Sequence, residues 1–175
     1  MNNADLDIEQ ESIMTNMDGC PRGRLRLCVH DCAGKLVAQR RTRNIVLRQG
    51  AAIIAALFSG QGGALAINQV KIGFGQEGAT TETTLLVPPT DTTIPSAALV
   101  GAIAPTDFTI VTDKPGMVQV LIASVFKPTV ELTDVTEAGL MAGDKLYNQV
   151  VFEPVTLRPG QDVTFFWEID FPFGH

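Results

Sequence analysis

Nine residues near the end of the chain constrain its architecture most. From Val163 to Phe171 the side chains alternate: Val163, Phe165, Trp167, Ile169 and Phe171 share one parity, and Thr164, Glu168 and Asp170 the other, with Phe166 the exception. A period of two sends alternate residues to opposite faces of a strand, so the segment predicts a β-strand with one face in the core and Trp167 in that core. The same period recurs from Arg24 to His30, where Leu25, Leu27 and Val29 share a face. Asp31-Cys32-Ala33-Gly34 then predicts a turn, and Lys35 to Arg41 the return strand of a hairpin. Further strands are expected at Val70–Phe74, Phe108–Thr112, Met117–Phe126, Thr129–Leu132 and Lys145–Phe152. Turn signals lie at Asp113-Lys114-Pro115-Gly116, around Gly143-Asp144 and at Arg158-Pro159-Gly160-Gln161. Met117–Phe126 is apolar on both faces and so should be central in its sheet. Many short strands joined by Gly/Pro turns predict a mostly β fold, an antiparallel, jelly-roll-like β-sandwich.

One segment breaks the pattern. Asn44 is placed to cap a helix running from Leu47 to Phe58, with Gly60 as its stop. Ala51 to Phe58 offers no polar face, which predicts a short buried helix, covered by the sheet or by another subunit. That run is also the longest apolar stretch, far short of the roughly 18 residues that cross a bilayer, so a soluble chain with no membrane insertion is expected. The polar, acidic beginning does not read as a secretory signal. The 175 residues are expected to divide into an N-terminal arm, 1–23, and one β-sandwich domain, 24–175, with a long Thr/Pro-rich loop at 79–106.

Charge is segregated along the chain. Residues 1–20 carry five acids and no base, residues 21–50 carry eight bases against Asp31 alone, and the remainder holds thirteen acids and five bases, giving the net charge of −6. A basic segment can bind nucleic acid, but this one lacks interleaved aromatics and the rest of the chain is acidic. Contact with acidic segments of the same or neighbouring subunits is the simpler reading, and no nucleic-acid partner is expected. The candidate subunit interface therefore comprises Asp5, Asp7, Glu9 and Glu11, the arginines Arg40, Arg41 and Arg43, and the apolar loop residues Leu85, Leu86, Val87 and Val100, with the loop patch Ala97 to Ile103 expected to lie between subunits.

Chemistry-bearing motifs are weak. Gly73-Phe74-Gly75-Gln76-Glu77-Gly78 matches G-x-G-x-x-G, but no helix follows to present its N-terminus to a phosphate, so a glycine-rich turn is expected. Glu168 and Asp170 share a strand face at the spacing of a carboxylate pair or of two cation ligands, and a solvated strand face explains them as well. His30 and His175 have no triad context. Cys20, Cys28 and Cys32 form neither a disulfide framework nor a zinc knuckle, and free thiols are expected. No cofactor, no metal and no enzymatic activity are expected.

The order of elements resembles a group of tailed-bacteriophage virion proteins of the tail fibre, baseplate or minor tail type. The resemblance rests on NIVLRQGAAIIAALFSG (Asn44 to Gly60), VKIGFG (Val70 to Gly75), EAGL (Glu137 to Leu140), KLYNQVVFEPV (Lys145 to Val155) and FFWEIDF (Phe165 to Phe171). It spans about residues 24–173 and departs from the group's pattern at 80–106 and in the acidic beginning. It implies a non-enzymatic virion subunit, made in the host cytoplasm, whose partners are copies of itself and other virion proteins. The alternatives are a capsid decoration protein or a host-surface module, whose partner would be a glycan receptor.

Overall fold

The computed structural model describes residues 21–61, 66–76 and 80–173. Its strands are β1 (Arg22–His30), β2 (Leu36–Val46), β3 (Gln69–Gly73), β4 (Val100–Ala102), β5 (Phe108–Val111), β6 (Met117–Phe126), β7 (Leu132–Ala142), β8 (Lys145–Leu146), β9 (Asn148–Leu157) and β10 (Asp162–Pro172). Among the described residues one α-helix, α1 (Arg48–Phe58), follows β2. The fold is mostly antiparallel β, in one curled sheet of order β4-β3-β7-β9-β2-β1-β10-β6-β5, with β8 paired to β7. The curl brings β4 back against β6, so that Gly101 lies beside Phe126. Both halves of the sheet thereby line one core, which holds Leu25, Leu27, Phe165 and Trp167 from one half and Ile72, Leu140, Val150 and Leu157 from the other.

The alternation of the first and last strands is borne out. Leu25, Leu27 and Val29 of β1 and Val163, Phe165, Trp167 and Ile169 of β10 are all buried, and Trp167 is only 1% exposed. Phe165 meets Phe126 edge to face at 6.4 Å between ring centroids. β6 has the bounds expected of it and is flanked by β10 and β5. At the β1–β2 turn Gly34 takes φ 75°, and Asp31 holds it together by accepting from the amides of Ala33 and Lys35 at 2.9 Å. β1 also takes in Arg22 and Gly23, which had been assigned to the arm.

Five expectations need correction. Asn44 does not cap α1: it stays in β2 opposite Gly23, because the chain remains extended through Val46, which pairs with Asn148 of β9. Leu47 is the cap, and the amide of Arg48 is satisfied by Thr81 O at 2.9 Å. The helix is not buried. Only Gly50 and Ile53 are covered, and Phe58 is 90% exposed. The short strand expected at Thr129–Leu132 is instead the start of β7, an 11-residue strand that takes in Glu137 to Leu140 and leads through the turn at Gly143 into β8. The expected strand Lys145–Phe152 is broken at Tyr147 into β8 and β9. Finally, within the loop 79–106, Ala98, Leu99 and Ile103 are buried in the chain's own core, so this patch is not left for a neighbour. Residue 100 starts β4, and two short 3-10 turns, Ser96–Leu99 and Pro105–Asp107, flank that strand.

Candidate functional site

The basic cluster Arg40-Arg41-Thr42-Arg43 lies on β2, and strand parity divides it. Arg40 and Thr42 pair with the inward-facing Leu27 and Leu25, whereas Arg41 and Arg43 pair with Arg26 and Arg24. The inward pair is spent within the chain. β2 and β9 share only two residue pairs, Ile45–Gln149 and Val46–Asn148. Where that ladder opens, Thr42 Oγ1 donates to Val151 O at 3.0 Å, and Arg40 donates to Glu153 O at 2.9 Å and Pro154 O at 2.7 Å. Side chains thus satisfy carbonyls that a longer ladder would have taken. Arg40 is therefore a seam between strands, not a free interface cation.

The outward pair belongs to a grid. Arg24 and Arg26 of β1 face Arg43 and Arg41 of β2 directly across the ladder, and all four are exposed. Like charges placed opposite one another in this way are destabilising. Three of the four find relief. Arg24 donates to Glu168 at 2.6 Å and reaches Asp170 at 3.4 Å. Arg26 sits 4.4 Å over the ring of Phe166, a cation–π contact. The Gln39 amide, turned so that its oxygen faces Arg41, accepts from Nε at 2.7 Å and Nη2 at 3.1 Å. Among the described residues the side chain of Arg43 makes no hydrogen bond or ion pair. This face carries a groove of about 760 Å³ lined by the four arginines together with Phe166, Leu121, Ala123, Thr109 and Asp107. Phe166, the residue out of place in its strand's alternation, was the visible signal for this groove. What the linear sequence hid was the hairpin register that sets Arg24 and Arg26 opposite Arg43 and Arg41.

The Glu168/Asp170 pair is engaged by the protein itself. Besides Arg24, the amide of Gln119 donates to Glu168 at 2.5 Å and to Asp170 at 2.7 Å, and Lys114 Nζ donates to the Gln119 oxygen at 2.5 Å. This network explains why Gln119, on the outward parity of β6, is only 2% exposed. Among the described residues no group of three or more His, Cys, Asp or Glu is placed to hold a metal ion. Cys28 is buried and Cys32 exposed, both as free thiols. Cys20 and His175 lie outside the described residues.

The glycine-rich motif has a partner that was not expected. Glu137 of β7 is buried, and its carboxylate lies against Gly73 and Gly75, where any Cβ would overlap it. Oε2 accepts from the amide of Val87 at 3.2 Å. Burial raises the carboxyl above its ordinary range, against the lowering effect of hydrogen bonds from Val87, Gln149 and Gly75. Thr136 beside it donates to Gly75 O at 2.5 Å. The two glycines thus make room for a carboxylate of the chain's own. Nothing in the spacing of the residues announced Glu137.

The apolar loop residues fall on both sides of the surface. Leu86 is buried with Leu47, the cap of α1, and with Met141 and Leu146 in a second small core, and so is not available to a neighbour. Leu85 and Val87 on either side of it are 68% and 48% exposed, and Val100 is half-buried on the edge strand β4. Asp5, Asp7, Glu9 and Glu11 lie outside the described residues. α1 is tied at its start by Arg48, which donates to Glu82 at 2.6 and 2.9 Å, and it presents Ala51, Ala52, Ala55, Leu57 and Phe58 outward. Among the described residues no helix is long and apolar enough to cross a membrane. No protein family, no curated protein and no solved structure matches this chain.

Proposed function

We propose that the chain is a non-enzymatic structural subunit of a tailed-phage virion, built into the tail, neck or baseplate through contacts with copies of itself and other virion proteins. We read its curled sheet as a sandwich of the jelly-roll type. The observation that carries the assembly reading is the uncovered face of α1. A helix without a polar stripe needs cover. The rest of the described chain buries Gly50 and Ile53 and half-buries Ile54, leaving Leu57 54% and Phe58 90% exposed. A large aromatic held out at the end of a rigid helix fits a pocket on a neighbour. The virion assignment rests on the resemblance in NIVLRQGAAIIAALFSG, KLYNQVVFEPV and FFWEIDF.

The test is Leu57→Asp with Phe58→Asp in particles assembled from the variant. Both side chains are exposed, so the melting temperature and circular dichroism should stay near those of the parent. The variant should be missing from purified particles. Normal incorporation of the folded variant would overturn the reading of α1 as a contact surface.

A further inference from the structure

We infer that the arginine-lined groove is the receptor for the acidic segment, residues 1–20, of a second copy of this chain; the inference rests on the assembly reading above and adds to it the contact that joins copies. The groove and the segment are complementary in charge. The segment holds Asp5, Asp7, Glu9, Glu11 and Asp18 with no base, and the groove wall holds Arg24, Arg26, Arg41 and Arg43. The carboxylates already in the groove are engaged, Glu168 by Arg24 at 2.6 Å and Asp107 by the amide of Ala104 at 2.9 Å. The four arginines stand as two cross-strand like-charge pairs in which only Arg24 is paired with carboxylates, so that external carboxylates would relieve Arg26, Arg41 and Arg43. Successive outward positions on a strand are about 7 Å apart, and so are alternate side chains of an extended peptide. Asp5, Asp7, Glu9 and Glu11 share that period of two, so in an extended segment their carboxylates would match the spacing of the arginine rows.

Chain direction favours a neighbour's segment over the chain's own. β1 starts at Arg22, opposite Asp170, and runs from there to Arg24 and Arg26, so the chain's own segment would have to reverse within the few residues before Arg22 to lie along these arginines, whereas a neighbour's would not. Twenty residues reach at most about 70 Å when extended, ample to cross to an adjacent subunit.

A reciprocal charge swap in the full-length chain tests this. One variant carries Arg41→Glu and Arg43→Glu. The other carries Asp5→Lys, Asp7→Lys, Glu9→Lys and Glu11→Lys. Sedimentation velocity in about 50 mM salt should show the parent self-associating and each variant alone associating roughly tenfold more weakly or worse. An equal mixture should recover association, because each segment then meets a groove of opposite sign. About 500 mM salt should weaken the parent and the mixture alike. A mixture that stays dissociated, with both variants folded by circular dichroism, would overturn the inference. So would a parent that is monomeric throughout, or one whose association the swaps leave unchanged. Binding of a single-stranded oligonucleotide that depends on Arg41 and Arg43, with association untouched, would assign the groove to nucleic acid instead. If the swaps fail while Phe58→Asp still excludes the chain from particles, the groove inference falls and the assembly reading stands.

Discussion

The two halves of the sheet treat their outer faces differently. In β2-β1-β10-β6-β5 the outer face is bare, and β10 reads as strict alternation of buried and half-buried residues. In β9-β7-β3-β4 the outer face of β7 is roofed by Leu47 at the cap of α1, by Leu146 of β8 and by the loop that carries Leu86, and eight consecutive residues from Val135 to Ala142 are buried. A bare face demands polar side chains at every second position; a roofed one does not. The first half is therefore held by one core, and the second by that core together with a smaller one above it, formed by Leu47, Leu86, Met141 and Leu146.

If this contrast is right, outer-face substitutions should be mild in the first half and costly in the second, with shared-core substitutions costliest of all. Trp167→Ala, in the shared core, should cost about 3–5 kcal/mol by urea unfolding. A loss below about 1 kcal/mol would mean the first half has no firm interior. Gly75→Ala, on the roofed side, forces a methyl group onto the Glu137 carboxylate and should cost about 1–3 kcal/mol. A neutral result would show that the roof yields easily and would erase the contrast. Glu137→Gln addresses the same roof through pH. Burial raises the folded-state pKa above the unfolded one, so the protonated carboxyl contributes stability that is present in acid and lost as pH rises through the folded value. The difference in urea midpoint between parent and variant should therefore change between about pH 4 and about pH 8, with the parent losing more on the way up. A constant difference would place Glu137 in water. Smallest is Arg41→Ser on the bare face, expected to stay within about 0.5 kcal/mol of the parent.

Legibility followed the same division. β1 and β10 were readable because solvent on one side writes a plain alternation into the residues, and β6 because the turn Asp113-Lys114-Pro115-Gly116 marks its start. β7 was not, since the second core erased its alternation and the bulge near Asp134, with φ 55°, shifted its phase. α1 was found, but its burial was misjudged: apolar residues on all sides show that a helix needs cover, not which molecule supplies it. In the candidate site the arginines were visible and their division was not. Arg40 and Arg41 are neighbours in the chain yet face opposite sides of the sheet, one tied to Glu153 and Pro154, the other beside Arg26. Asp5, Asp7, Glu9 and Glu11 lie outside the described residues and enter only through their charge and spacing.

The carboxylate beneath Gly73 and Gly75 has a consequence for descent. A side chain at either glycine collides with Glu137, and a shorter residue at Glu137 would leave Val87's amide without its acceptor. Either change alone costs stability, so the three positions should tend to drift together. Among descendants of this chain, a glycine lost from the turn should be accompanied by loss of the acid in β7. A reader who takes the turn for a phosphate loop has found half of a lock whose key is cut into a distant strand.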